Sequence, residues 1–368
     1  MTGLIVHEWI SPHGGSEKVM DAMLSTFPAA RVLTLWNDAP DKYPRGKVQE
    51  TWLAKTPLRR HKAAALPFMP VTWRHLRPKE PVDWLLVSSH LFAHQARPCS
   101  PYRDVEKYVY VHTPARYIWA PELDARGAGP IPALASCILR PLDRKRALEN
   151  HHVAANSGFV RRRIHDTWGV DAEVVYPPVN VDLIMEKENW EAELAEDDLR
   201  LFQSLPRPYI LGASRFVPYK RLDSVIRIGA AAGLPVVIAG SGPEEARLRS
   251  LAESAPVPVR FILNPGDELL RALYQSAFAF VFPPIEDFGI MPVEAMAAGT
   301  PVLVNHSGGA SESVLDGQTG MHIDPDDLQS AVTALERVAG LERDAIVARA
   351  SGFSTAAFQQ NLRAWMGR

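Results

Sequence analysis

Cysteine is nearly absent: Cys99 and Cys137 are the only two in 368 residues, and neither belongs to a Cys-x-x-Cys pair. That spacing argues against a disulfide framework or a zinc-thiolate centre and leaves two reduced, structural thiols as the expectation. Long apolar runs are missing as well; none approaches the ~18 residues that would cross a bilayer. The opening Met1-Thr2-Gly3-Leu4-Ile5-Val6-His7-Glu8 has no basic region followed by an apolar one, so no signal peptide is expected and the cytoplasm is the default compartment. Fingerprints of other chemistries are incomplete. Gly240-Ser241-Gly242 lacks the rest of a dinucleotide-binding motif, and His90 and His94 are four apart without the Glu or third ligand of a zinc site. Arg161-Arg162-Arg163 stands without the aromatic platforms of a nucleic-acid binder, so no nucleic-acid partner is expected.

What the chain does have is an ordinary globular composition, 46% hydrophobic and 22% charged, at a length suited to two domains. Its net charge of −2 hides an asymmetry: residues 1–180 carry 24 basic against 17 acidic residues, and residues 181–368 carry 16 against 25. The basic excess is densest where Lys55, Arg59, Arg60, Lys62, Arg74, Arg77 and Lys79 meet no acid and alternate with Leu58, Leu66, Phe68, Met69, Val71 and Trp73. A surface of that kind suits peripheral contact, through residues 55–79, with an anionic membrane at its inner face, or with a phosphorylated acceptor.

Short apolar runs alternate with helical patterns, which predicts parallel strands joined by crossover helices. The first half predicts strands at Leu4–His7, Arg31–Leu35, Trp84–Ser88, Lys107–His112 and His152–Ala155. The second half predicts Tyr209–Ala213, Pro235–Ala239, Val259–Leu263, Phe278–Phe282 and Pro301–Val304. After the first strand, Gly14-Gly15-Ser16 is a tight turn into a helix and a natural anion seat. Between the halves, an extended Tyr176-Pro177-Pro178 and an acidic stretch predict a linker. The domains expected are therefore 1–180, a linker at 181–204, a second domain at 205–352, and a final helix in 353–368 that caps at Ser354 and packs back on the first.

Two constellations carry chemistry. Glu286-Asp287-Phe288-Gly289-Ile290-Met291-Pro292-Val293-Glu294 sets two carboxylates eight apart around a glycine turn that opens a helix, with Pro292 fitting the first turn. The amides of Gly289 and Ile290 would face an anion at the mouth of a parallel sheet. A carboxylate beside a polyhydroxyl group, amides facing a phosphate and a second carboxylate nearby suit a nucleotide-sugar. The second constellation, Gly212-Ala213-Ser214-Arg215-Phe216-Val217-Pro218-Tyr219-Lys220-Arg221, follows a strand directly. It offers Arg215 as a planar fork and Lys220 as a point charge for two phosphates, with Arg221 as a solvated neighbour.

These residues resemble the family-four retaining glycosyltransferases. The resemblance takes in Gly14-Gly15-Ser16-Glu17, Val111-His112-Thr113-Pro114, Ala155-Asn156-Ser157 and Pro178-Val179-Asn180-Val181-Asp182. It continues through the Arg215/Lys220 loop, Gly240-Ser241-Gly242-Pro243-Glu244, the Glu286 to Pro301 segment and Asp316-Gly317-Gln318-Thr319-Gly320. Pro218-Tyr219-Lys220-Arg221 followed by Glu286-Asp287-Phe288-Gly289-Ile290 looks most like bacterial mannosyltransferases of polysaccharide and O-antigen assembly.

The resemblance implies a GT-B α/β fold: two facing Rossmann-like, doubly wound domains with a deep cleft between them. It implies transfer of a hexosyl unit, best read as mannose from GDP-mannose, to a hydroxyl of a glycan, lipid-linked or natural-product acceptor, with retention. Arg215 and Lys220 would hold the donor diphosphate and stabilise the leaving group. Glu286 would bind the donor sugar and Glu294 the ribose, with Phe288, Gly289 and Ile290 forming the donor-binding segment between them. Gly15 would approach the diphosphate, His112 the sugar and reacting centre, and Gly240 and Asn264 would frame the base. Neither a metal nor a cofactor is expected, since fixed cations and helix-terminal amides can neutralise the departing phosphate. Asp324-Pro325-Asp326-Asp327 contains the Asp-x-Asp of metal-using glycosyltransferases but precedes a helix, where Asp serves as a cap. A UDP-sugar transferase or epimerase is the alternative within enzymes, and a non-catalytic nucleotide-sugar sensor the alternative outside them.

Overall fold

The computed structural model describes residues 2–12, 14–102, 104–119 and 130–368. The chain forms two units, Met1–Pro178 together with Phe358–Arg368, and Val179–Ala357. Each is built on one sheet. The strands of the first are β1 (Gly3–His7), β2 (Arg31–Thr34), β3 (Val48–Glu50), β4 (Trp84–Ser89), β5 (Glu106–Val111), β6 (His152–Ala155) and β7 (Glu173–Val174), in the order 3-2-1-4-5-6-7. The second holds β8 (Ile210–Ala213), β9 (Val236–Gly240), β10 (Val259–Leu263), β11 (Ala279–Phe282), β12 (Val302–Asn305) and β13 (Gly320–Ile323), in the order 10-9-8-11-12-13. Every pairing is parallel.

The strand order reverses between β1 and β4 in one sheet and between β8 and β11 in the other. At such a switch point the flanking crossovers leave on opposite faces, and the carboxyl ends of the two strands are left uncovered. The loops after β1, β4, β8 and β11 are the ones placed there by topology.

Parallel strands covered on both faces are apolar on both, and β1 shows it. Leu4 and Val6 join a core with Leu85, Val87, Val109 and Val111, closed by Trp36, Trp73 and Trp168. Between them, Ile5 faces the other way, into a core with Leu86, Tyr110, Met20 and Met23. The final helix, Thr355–Met366, adds Phe358, Leu362 and Met366 to this second core. Tyr108 Oη donates to the Met366 carbonyl at 3.0 Å, and Ser354 Oγ caps the helix by accepting from Ala357 N at 3.1 Å. In the second unit, Ile210, Val236, Ile238, Val281, Leu303 and Ile323 build the equivalent core.

The ten predicted strands all form, and three more appear. β3 and β7 are three and two residues long and only partly buried, too short for alternation to register. β13 starts at the glycine that ends the Asp316–Gly320 turn. The segment expected as a linker, 181–204, is instead folded into the second unit as the helices Val181–Met185 and Glu196–Gln203 around a 3-10 turn at Trp190–Glu193. Trp190 and Phe202 are buried there, and Trp190 Nε1 donates to the Ile184 carbonyl at 2.8 Å. Acidic composition marked the exposed face of these turns and hid the aromatic anchors beneath it.

Candidate functional site

In the second unit, the loop after β8 passes over the carboxyl end of the sheet. Arg215 and Lys220 line an open pocket of about 420 Å³ together with Gly240, Ser241, Asn264 and Met291. Gly240, at φ +133°, ends β9; a Cβ there would lie 1.9 Å from the Ser214 carbonyl oxygen, so only glycine lets the β8 loop cross so close. Asn264, at φ +46°, turns the chain after β10 and pairs its side chain with Ser241 Oγ. Arg215 is exposed, and among the described residues its guanidinium is hydrogen-bonded only to the Tyr219 hydroxyl, at 3.1 Å. Its fork is free to meet an anion.

Lys220 Nζ lies 2.5 Å from Glu286 Oε1, with side chains 12% and 16% exposed. The two constellations predicted separately from sequence thus meet in a single ion pair. Glu286 sits on the loop after β11, the neighbour of β8 at the switch point, and Gly289 caps the helix Ile290–Ala297 that follows. Glu294, half-buried on that helix, receives the Tyr274 hydroxyl at 3.5 Å. Burial first, then the charge and hydrogen bond of Glu294, push the Tyr274 phenol well above its ordinary range, so it remains a donor. The Phe288 ring is buried against Phe353 with centroids 5.6 Å apart, so within the segment its side chain anchors the loop to the core. Arg221, expected to be solvated, forks onto the Asp326 carboxylate, and Asp327 accepts from Ser330 N at 3.0 Å as the cap of the next helix. Asp324 accepts from Asp326 N at 3.0 Å, so all three aspartates of that run are engaged in structural bonds.

The sequence reading missed a third loop, the one after β12. Gly309 N donates to the Glu286 carbonyl at 2.7 Å, and a Cβ at Gly309 would fall 1.9 Å from the Asp287 carbonyl oxygen. Buried Asn305 ties the two loops by donating to the Pro283 carbonyl at 3.0 Å. Gly308-Gly309 after a strand and before a short helix is the same signal that was read at Gly14-Gly15, and it could have been found in the same way.

In the first unit the carboxyl ends of β1, β4 and β5 carry a cluster of imidazoles. Ser88 Oγ bridges His7 Nδ1 at 3.0 Å and His112 Nε2 at 2.8 Å. Burial, helped by the neighbouring His90, lowers His7 to about 4 and holds His112 well below its ordinary value, so both are neutral near pH 7. His90 packs against this pair, its Nδ1 lying 3.3 Å from the carboxylate of fully buried Glu8. Glu8 in turn accepts from Ser89 Oγ and from the amides of His90, Leu91 and Ala93. Gly15 opens the helix Gly15–Thr26 after β1 and is exposed. Of this set only His112 and Gly15 were predicted. Single polar residues at the ends of apolar strands carry no spacing signal. His94 goes its own way, 3.1 Å from buried Asp143, so His90 and His94 serve two different carboxylates. Cys99 is half-buried and Cys137 exposed, so only the first fits the structural thiol expected.

Residues 199–350 match the model of the glycosyl transferases group 1 family. Among curated relatives, the GDP-mannose-dependent alpha-(1-6)-phosphatidylinositol monomannoside mannosyltransferase of Mycobacterium tuberculosis is 31% identical over 211 residues, 52% of this chain and 53% of that one. The O-antigen chain mannosyltransferase RfbU of Salmonella typhimurium is 28% identical over 197 residues, 51% and 50% of the two chains. The chain therefore spans about half the length of the curated relatives it matches. Among solved structures, HepE of Anabaena in complex with UDP superposes with a TM-score of 0.71 over 100% of both chains at 18% identity, which establishes a shared fold. The strand order, the switch-point loops and the superposition agree on a GT-B fold of two Rossmann-like units, and residues 199–350 of the second unit match the group 1 glycosyl transferase family.

Proposed function

We propose that the protein transfers a hexosyl unit, best read as mannose from GDP-mannose, to a hydroxyl of a glycan, lipid-linked or natural-product acceptor, with retention at the sugar. The observation that carries the reading is the pocket at the β8/β11 switch point, where an unpaired guanidinium, a Lys-Glu pair and a helix N-terminus converge within the family-matched domain. Breaking a bond to a diphosphate builds negative charge on the leaving group. Arg215, Lys220 and the Gly289 and Ile290 amides supply fixed positive potential there, a role that asks for no metal. Glu286 keeps Lys220 compensated while the pocket is empty and is itself placed to accept from sugar hydroxyls once the lysine turns to phosphate. Glu294 takes the ribose, and Gly240 and Asn264 border the base. His112, neutral and fixed by Ser88, would contact the sugar, and Gly15 would bring backbone to the diphosphate.

GDP-mannose is favoured by the named donor of the mycobacterial relatives. UDP-glucose is the second reading, because HepE is solved with it. A thermal-shift panel of GDP-mannose, GDP, UDP-glucose and UDP decides between them, since a ligand that binds only the native state raises its apparent stability. A shift with the guanine compounds alone supports the first reading, a shift with the uridine compounds alone replaces it with the second, and Arg215→Ala and Glu294→Ala are each expected to abolish the shift. Turnover of the shifting donor separates the transferase from a silent sensor.

The basic stretch of the first unit supports peripheral contact with an anionic membrane. Trp52, Phe68 and Val71 are 52%, 44% and 60% exposed among its lysines and arginines. Partitioning onto vesicles containing phosphatidylglycerol, weakened by Phe68→Ser with Val71→Ser, is the expected outcome of a sedimentation assay. Equal sedimentation of the variant would remove this reading.

A further inference from the structure

The first unit holds a second cavity, of about 570 Å³, lined by Val71, Arg74, His75, Gln95, Arg97 and Arg146 among others. None of its lining residues is an Asp or Glu. The acid that pairs with its guanidinium groups is Glu149, whose two oxygens are already divided, Oε2 to Arg74 at 2.5 Å and Oε1 to Arg146 at 2.6 Å. Arg97, half-buried on the same wall, has no carboxylate within ion-pair distance among the described residues. Behind the wall, Lys107 Nζ donates to the His94 and Ala96 carbonyls, each at 3.0 Å. Burial, with Arg74 and Arg97 adding repulsion against the pull of Glu149, lowers that lysine to about 7. Three guanidinium groups therefore line a site only partly open to water, two of them paired with one carboxylate and Arg97 with none among the described residues.

Partly buried charge without a counter-charge is costly, and a pocket that concentrates it is built for a counter-ion. The candidate must be an anion with several acceptor oxygens, because guanidinium forks present paired N–H groups. It can also be larger than an inorganic ion. A cavity in this size range admits a small organic molecule, and Pro70, Val71, Pro98 and Leu142 give it apolar wall. We propose that this cavity binds the phosphate group of a phosphate ester, with Arg97 as its principal fork and Arg74 and Arg146 closing on the remaining oxygens. The residues come from the helix Met69–Arg74, the turn after Ala93–Gln95 and the C-terminal end of the helix Pro130–Ala147, and none of them lines the donor pocket. The same phosphate chemistry can arrive on a soluble metabolite or on a lipid headgroup.

Calorimetric titration of the whole protein with glycerol 3-phosphate is the test, run on wild type, Arg97→Gln, Arg97→Lys and Arg215→Ala. Wild type and Arg215→Ala are expected to bind alike, because the second substitution disables only the donor pocket. Arg97→Gln is expected to bind about ten-fold more weakly or less, in line with the loss of a charge-assisted pair of bonds, and Arg97→Lys to fall between. Removing one uncompensated cation should leave the melting temperature of the ligand-free protein unchanged or raised, which keeps loss of binding distinct from loss of fold. Vesicles of phosphatidylglycerol, against phosphatidylcholine as control, identify the source: competition with glycerol 3-phosphate assigns a lipid headgroup, and its absence a soluble ester. Full affinity in Arg97→Gln, or no binding by wild type of either probe, would overturn the proposal.

Discussion

His7 shows how burial, helped by a neighbouring imidazole, can fix a protonation state. The pull of the Glu8, Glu17 and Asp21 carboxylates is outweighed by burial, and the Ser88 hydroxyl that His7 shares with His112 holds it in a neutral network. Because its folded value lies near 4 and its unfolded value near 6.5, the unfolded chain takes up a proton first as pH falls between them. The contribution is fully present above about 6.5, is lost as pH drops toward 4, and amounts to no more than about 3 kcal/mol over that window. Denaturant unfolding of wild type and His7→Gln at pH 7.5, 5.5 and 4.5 should show the variant losing less stability on acidification. Parallel curves would assign the acid sensitivity to other groups. At this scale the sequence was legible for Arg215, Lys220, Glu286 and Glu294, because each stands in or just after a strand-to-helix turn whose spacing has a physical reading. It was silent on Glu8, Ser88 and Tyr274, whose roles depend on which strands or helices become neighbours, and on Phe288, whose ring could be assigned to core or ligand only by seeing Phe353 beside it.

The elements were legible where apolar runs were long enough to register, and the positions of the loops followed from parallel order. Less visible was that three loops, after β8, β11 and β12, lock to one another. The bond from Gly309 N to the Glu286 carbonyl holds the acidic loop in place, and the space at Gly309 is too small for any side chain. Gly309→Ala is therefore expected to destabilise the second unit by about 1–3 kcal/mol through overpacking, and to weaken donor binding by displacing Glu286. A thermal melt with and without donor measures both. A variant with normal melting and normal donor affinity would show that the loop yields at little cost, and that Glu286 does not depend on it.

At the scale of the whole molecule, the chain divides after Pro178; the acidic stretch expected as a linker belongs to the second unit, and most of the last helix belongs to the first. Phe358, Leu362 and Met366 fill a core made by β1, β4 and β5, and their burial is worth roughly 2 kcal/mol each. A chain ending at Ser354 should accordingly lose cooperative unfolding of the first unit in calorimetry while the second unit still melts near its usual temperature. Retention of both transitions would mean that the core closes without the helix. The same return path makes the second unit an insertion between two parts of the first. On the ribosome, residues 179–357 are complete and able to fold before the residues that finish the first unit exist, so the half made first is the half that matures last. Its apolar face must wait uncovered throughout, which makes the nascent first unit, rather than the second, the natural client of a chaperone.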